Sequence, residues 1–281
     1  MHVEMDVALD PTLGCGQAHR WKKQEDGSWQ GVIGNDVVTL TQTSNGFDCE
    51  GASDMCQILR YFRSEDNLGE IVEEISRRDN YVAGLSSHCP GMRILRQPEW
   101  ECLATYVLAT NVNVKRIAKM VESVCDHFGT DLGPRRAFPT PKQILDREEC
   151  IGECRLGFRE RRFIELAQRT ENGEIDIEGM KDLPYDGLVK ELMTINGVGP
   201  KVADCVALFG YGHMEAFPVD VRIQNVMKAK YGVEGNYKTV SAYGRNLFGE
   251  YAGYAQEFLY HSEFILSLIH ISEPTRHAQI S

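Results

Sequence analysis

No apolar run in this 281-residue chain approaches the roughly 18 residues that a membrane-spanning helix needs. Its first residues, Met1–Asp10, hold acids and no basic cluster, so they do not read as a secretory signal. The nine cysteines are scattered, odd in number and never spaced Cys-x-x-Cys. That excludes a zinc ribbon, thioredoxin chemistry and an extracellular disulfide framework, and implies a reducing cytosol or nucleus. His-Glu-x-x-His and Gly-x-Gly-x-x-Gly are both missing, so zinc-protease and dinucleotide-binding readings have no anchor. No internal repeat stands out. Excess positive charge is lacking too: Lys and Arg number 30 against 41 Asp and Glu, a net charge of −11. A general nucleic-acid binder should be basic. Net charge averages over all faces, however, whereas a phosphate feels charges within about 10 Å. The run Arg155-Leu-Gly-Phe-Arg-Glu-Arg-Arg162 supplies such a local patch, with Arg135 and Arg136 nearby in sequence.

What is present reads as a globular protein of about two domains at roughly 150 residues each. From Trp29 to Glu50 the pattern is that of strands. Val37-Val-Thr-Leu-Thr41 is rich in β-branched residues, and Gly34-Asn-Asp36 and Ser44-Asn-Gly46 are turn signals at its ends. Helices over Asp54–Arg63 and from Leu68 to Ile75 follow. The first part, residues 1–96, is therefore expected to be α+β with an antiparallel sheet. From about Gln97 the period becomes helical. Pro98 opens a helix through Asn111, Val114–Phe128 forms the next, and Pro139–Pro141 breaks the chain. Further helices are expected over Phe158–Thr170, Tyr185–Thr194, Pro200–Phe209, Val221–Tyr231, Thr239–Phe248 and Tyr254–Leu266. Residues 97–267 thus read as an all-α unit, joined to the first near Met92–Pro98.

The segment richest in chemistry is Leu192-Met-Thr-Ile-Asn-Gly-Val-Gly-Pro-Lys-Val-Ala-Asp-Cys-Val-Ala207, within a helical hairpin over about 185–210. Gly197 and Gly199 flank Val198, and Pro200 suits the first position of a new helix. Bare backbone N–H groups at a helix start make a phosphate site that contributes nothing to net charge. Val202, Val206 and Phe209 should face the core, while Ala203 and Ala207 let two helices approach. Lys201 and Cys205 share another face, one turn apart. The positive end of the helix and partial burial both disfavour an ammonium there, so a lowered lysine pKa is expected; a neutral amine is a nucleophile. Taken alone, Lys201 reads as a solvated surface lysine, the usual state of a lysine beside a glycine turn; Asp220 changes that balance. Asp220, in Ala216-Phe-Pro-Val-Asp-Val-Arg222, stands at a helix start, where it is either a plain cap or a fixed anion beside a cationic reaction centre.

Gly197-Val-Gly-Pro-Lys-Val-Ala-Asp-Cys205 followed by Pro218-Val-Asp220 resembles the helix–hairpin–helix DNA glycosylases of the Gly/Pro-Asp superfamily, and specifically their 8-oxoguanine branch, which has a lysine at this position. The likeness runs from about Leu13 to Glu263. It implies an N-terminal antiparallel, TBP-like sheet domain with helices, followed by a helical catalytic domain. It further implies a bifunctional enzyme that excises 8-oxoguanine opposite cytosine and cleaves the strand through a lysine Schiff base, with Lys201 and Asp220 catalytic. Gly14-Cys-Gly-Gln-Ala-His-Arg-Trp21 is similar to a family segment whose glycine carbonyl, here that of Gly16, accepts the N7 hydrogen of 8-oxoguanine. Thr110-Asn-Val-Asn-Val-Lys-Arg116 resembles the asparagine turn that fills the gap left by the everted base, giving Asn111 and Arg116. Leu156-Gly-Phe-Arg159 resembles a wedge turn, with Phe158 entering the duplex and Arg159 on the orphan cytosine's side. Ala252-Gly-Tyr-Ala-Gln256 and Tyr260 look like the pocket helix. There Gln256 reads the base edge and Tyr260 stacks on the base opposite Cys205. Gly197, Gly199 and Arg222 are carried over as DNA contacts.

Three positions depart from the family pattern: His19 replaces a phenylalanine, Val112 interrupts the asparagine run, and Arg222 replaces a histidine. The stretch Leu266-Ser-Leu-Ile-His-Ile-Ser-Glu-Pro-Thr-Arg276 does not continue the pattern and reads as translated adapter or vector sequence, so 268–281 is expected to be a non-native tail. The resemblance implies no required cofactor or metal, with a monovalent cation held by hairpin carbonyls. It also implies a monomer acting on double-stranded DNA containing 8-oxoguanine, in a bacterial nucleoid or a eukaryotic nucleus. The rivals are a glycosylase of different specificity and a non-catalytic hairpin module. An endonuclease III-like enzyme would carry a cysteine cluster beyond Cys205, and the alkyl-base branch lacks the lysine.

Overall fold

The β-branched run Val37–Thr41 lies inside the longest strand of a five-stranded antiparallel sheet. A computed structural model of the protein describes residues 1–110 and 112–262. The strands are β1 (His2–Glu4), β2 (Lys22–Lys23), β3 (Trp29–Ile33), β4 (Asp36–Thr43) and β5 (Gly46–Glu50), in spatial order β1-β5-β4-β3-β2. Two-residue turns set the register, pairing Ile33 with Asp36 and Thr43 with Gly46. Alternation puts Val38, Leu40, Phe47 and Cys49 on the buried face. They pack there with α1 (Leu9–Gly14), α2 (Met55–Tyr61), Phe62 and Leu95.

The remaining helices are α3 (Leu68–Arg78), α4 (Asn80–His88), α5 (Glu99–Leu108), α6 (Val114–Phe128), α7 (Pro141–Leu145), α8 (Glu160–Glu171), α9 (Tyr185–Leu192), α10 (Pro200–Val206), α11 (Val221–Tyr231), α12 (Tyr237–Phe248) and α13 (Ala252–Tyr260). The fold class is α+β, as the sequence implies. Helices α3 and α4 follow the sheet in sequence, yet Leu68, Ile71, Ile75, Val82 and Leu85 join the helical core, where both helices pack on α13.

Several helices differ from their expected bounds for local reasons. The helix opened by Pro98 ends at Leu108, and Asn111 lies outside the described residues, as do 263–281. Phe158 sits in a 3-10 turn, Gly157–Arg159, before α8 begins. The proline pair Pro139–Pro141 both breaks the chain and starts α7, through a capping box between Thr140 and Gln143. Helix α10 passes at Ala207–Tyr211 into a π-turn, whose Phe209 carbonyl accepts the Gln97 N–H at 2.7 Å.

Candidate active site

The hairpin joins α9 to α10 through Ile195–Gly199. Gly197 has φ +88°, a conformation that favours glycine, and the Arg162 side chain packs 2.8 Å from where a Cβ would stand. Val198 is buried and donates to the Ile195 carbonyl at 3.0 Å. Gly199 is exposed, and a Cβ added there would meet nothing within 4 Å. This leaves room for a backbone to approach. Carbonyl oxygens are hard ligands that suit a monovalent cation. Among the hairpin carbonyls, Thr194 O faces the Arg169 guanidinium at 3.4 Å and Ile195 O accepts the Val198 N–H at 3.0 Å.

Behind the hairpin, Val202, Ala203, Val206, Ala207 and Phe209 are buried, as their spacing demands. The other face of α10 carries Lys201 and Cys205 into a cavity of about 150 Å³ that also receives Asp220, Gly16, Gln256 and Tyr260. An apolar cavity of about that volume takes up one benzene ring; this one opens to the surface, so a flat heterocycle can enter with its sugar left outside. Asp220 is the N-cap of α11 and accepts the Ile223 N–H at 2.8 Å. The acid is thereby fixed while remaining on the cavity wall.

The expected lowering of the Lys201 pKa is not found. Cys205 beside it, and then Asp220, raise it, outweighing the opposing effect of burial. Cys205 lies one turn along the same helix, and the fold adds Asp220 from across the cavity. Cys205 itself is buried, and its thiol is pushed up to about 11 by desolvation. At neutral pH the pair is therefore an ammonium beside a neutral thiol, and the amine must lose a proton before it can attack.

Gly16 forms another wall. Its φ of +94° strains any side chain, and the nearer Val114 methyl group stands 3.6 Å from where a Cβ would be. Gln17 holds that wall in place. Its side chain donates to the Thr12 and Arg93 carbonyls, each at 2.9 Å, and accepts the Leu95 N–H at 2.8 Å. Opposite, Gln256 is buried with its Oε1 unsatisfied among the described residues. A buried acceptor without a donor is costly, so Gln256 Oε1 is open to an N–H or O–H donor from a molecule in the cavity. Tyr260 is held by Arg222, whose guanidinium lies 4.5 Å from the ring centroid and donates to the Tyr260 carbonyl at 3.2 Å.

His19, which stands out in the sequence only as a departure from the family pattern, also lines the cavity, with its Nδ1 buried and unpartnered among the described residues. Burial, and then the Lys201 charge, lower its pKa from 6.5 to about 4. Above the unfolded value both states are neutral. As pH falls from 6.5 towards 4 the unfolded chain takes up a proton that the folded chain refuses, so stability is lost across that window. Full conversion gives ~3 kcal/mol; partial exposure of the ring reduces this to about 2 kcal/mol. Urea unfolding should therefore show His19→Phe losing about 2 kcal/mol less than wild type between about pH 7 and about pH 4. Parallel pH profiles would show that His19 does not titrate in this way.

Phe158 is exposed on the surface, with 57% of its area open to solvent. The Arg159 guanidinium lies 4.2 Å from its ring centroid and that of Arg162 lies 5.5 Å away. Arg159 is buried and donates through Nε to the Thr110 carbonyl at 3.0 Å. It thus ties the Gly157–Arg159 turn to the chain just before Asn111. Arg116 is exposed in the first turn of α6, beside Lys119 and Arg155. Three contributors escape a reading of the sequence: Gln17 as a strut, Tyr106, whose ring centroid lies 5.5 Å from Lys201 Nζ, and Glu257 on the cavity wall. For Gln17 the one signal is its place in Gly14-Cys-Gly-Gln-Ala-His-Arg-Trp21, the segment similar to the family's.

Lys201 and the helix-capping Asp220 thus share one cavity, beside an exposed hairpin with open space at Gly199. The fold and this arrangement define the helix–hairpin–helix DNA glycosylase class. A family model described as 8-oxoguanine DNA glycosylase, N-terminal domain, matches residues 2–103. The N-glycosylase/DNA lyase OGG1 of Arabidopsis thaliana is 30% identical, over 93% of this chain and 78% of its own length. The N-glycosylase/DNA lyase of Saccharomyces cerevisiae is 32% identical, over 82% and 70%. The Clostridium acetobutylicum 8-oxoguanine glycosylase/lyase, solved with double-stranded DNA containing cytosine opposite 8-oxoguanine, superposes with a TM-score of 0.88 at 30% identity over 94% of both chains. The chain belongs to the 8-oxoguanine DNA glycosylase family. Among the described residues no helix is long and apolar enough to cross a membrane.

Proposed function

We propose that this protein excises 8-oxoguanine paired with cytosine from duplex DNA and then cleaves the strand, using Lys201 as nucleophile and Asp220 as a fixed anion. The observation that carries this reading is that both side chains line one base-sized cavity. The damaged nucleotide is everted, since its sugar carbon cannot be reached inside the duplex. Phe158 wedges the stack, and Asn111 and Arg116 serve the orphan cytosine. Arg159 holds the two turns together. The Gly16 carbonyl accepts the N7 hydrogen, Gln256 accepts from the base edge, and the base lies between Cys205 and Tyr260. The backbone at Gly197 and Gly199, together with Arg222, contacts the flanking phosphates.

As the C1′–N9 bond breaks, its electron pair leaves with the base, and Asp220 stabilises the positive charge developing on the sugar. The Lys201 ammonium gives its proton to the departing base, and Nζ bonds to C1′. Ring opening yields a protonated imine, and loss of a C2′ proton expels the 3′ phosphate. These steps use no cofactor, and the place of work is wherever chromosomal DNA lies, nucleoid or nucleus. The test is a nicking assay with 8-oxoguanine opposite each of the four bases, plus an undamaged duplex and one bearing an alkylated adenine. Cleavage should be fastest opposite cytosine and absent without damage. Preferential release of the alkylated base would replace this reading with another specificity of the same fold.

A further inference from the structure

Beside the cavity, but outside the reacting pair, three different metal-ligand types meet. Cys15, Glu257 and His261 each present one donor atom, and these atoms lie within 4.8 Å of one another. The three residues are 8%, 3% and 9% exposed respectively. They come from distant parts of the chain. Cys15 caps the C-terminal end of α1, whereas Glu257 and His261 stand one turn apart at the end of α13. His261 Nε2 is 3.6 Å from Glu257 Oε1, an ion-pair separation beyond hydrogen-bond range, and is buried without a hydrogen-bond partner among the described residues. A buried imidazole nitrogen left unsatisfied beside a carboxylate and a thiol is costly unless something fills the space between them.

Donors no more than 4.8 Å apart can lie about 2.8 Å from a common centre. Zinc bonds to sulfur, nitrogen and oxygen run about 2.0–2.3 Å, so side-chain adjustments of about 0.5–0.8 Å close the set. Sulfur and imidazole disfavour the hard cations calcium and magnesium, which prefer oxygen ligands, and favour a borderline ion. We propose that Cys15, Glu257 and His261 form a binding site for a zinc-class divalent cation. It ties the segment that carries Gly16 to the helix that carries Gln256. On binding, the thiol releases its proton to solvent and a sulfur–metal bond forms, with no change of oxidation state. Three protein ligands leave a tetrahedral ion one further position, for water. The two walls that hold the base are then joined by coordination as well as by packing. The site stands whether or not the proposed reaction is correct.

The probe is cobalt(II), titrated into the chelator-treated full chain. Thiolate-to-cobalt charge-transfer absorption should grow to saturation at a single ion per chain and be displaced by zinc. Cys15→Ala and His261→Gln should each weaken binding by tenfold or more, while Cys56→Ser, at an exposed position away from the cluster, should leave it unchanged. Far-ultraviolet circular dichroism establishes that each variant is folded. Should Cys15→Ala not fold, His261→Gln decides. No thiolate band in the wild type, or a band that survives unaltered in the folded variant, overturns the proposal.

Discussion

Lys201→Gln should abolish strand cleavage and borohydride trapping on an 8-oxoguanine duplex, and reduce base release by about three decades or more, equivalent to ~4 kcal/mol of barrier. The glutamine amide nitrogen is not a nucleophile and forms no imine, so both later steps lose their intermediate. Asp220→Asn separates charge from architecture. Asparagine caps a helix about as well as aspartate, so the Ile223 N–H retains an acceptor and stability should change by less than about 1 kcal/mol. The negative charge facing the developing cation is lost, however, and kcat should fall by roughly 10²–10³-fold. Single-turnover kinetics on the cytosine-paired duplex, with melting measured in parallel, checks both variants. A covalent adduct that persists in Lys201→Gln would take the nucleophile's role from that residue. An unchanged kcat in Asp220→Asn would reduce the acid to a cap.

How far the sequence discloses this depends on how local each signal is. Helices α6 and α11 carry their boundaries in the text: Asn113 and Asp220 cap them, and Val114–Phe128 and Val221–Tyr231 are found as expected. The hairpin glycines announce a turn because side chains are strained in the conformation at Gly197. Strands β1 and β2 span three and two residues, too short for alternation to show, and exist because a neighbouring strand offers an edge. Helix α4 is hidden because Asp79 both terminates α3 and caps the next helix through Val82 N–H. Electrostatics is the least legible. Helical spacing places Cys205 beside Lys201, but only the tertiary fold sets Asp220, 19 residues on, against the same cavity, and together they reverse the expected direction of the lysine shift.

A second large effect is expected at a residue that does not line the cavity. Asp204 is buried on α10 and accepts hydrogen bonds from Tyr185 at 2.5 Å, from Ser241 at 3.3 Å and from Tyr237. Tyr185 begins α9, and Tyr237 and Ser241 lie on α12, so this one carboxylate ties two helices to the one that carries Lys201. Burial raises its pKa, while the hydroxyl donors and Arg245 work to keep it charged. Asp204→Ala leaves these hydroxyls without their acceptor, at ~1–3 kcal/mol for each buried group, and should cost ~3–5 kcal/mol in all. At ~2–4 °C per kcal/mol for a chain of this size, Tm should fall by about 10 °C. Asp204→Asn keeps the shape and one acceptor oxygen, so it should lose only about 1–2 kcal/mol. Its kcat, measured well below its Tm, should stay within several-fold of wild type. Scanning calorimetry on both variants decides the matter. A Tm for Asp204→Ala close to that of the wild type would mean that the helices around Lys201 are held by packing alone.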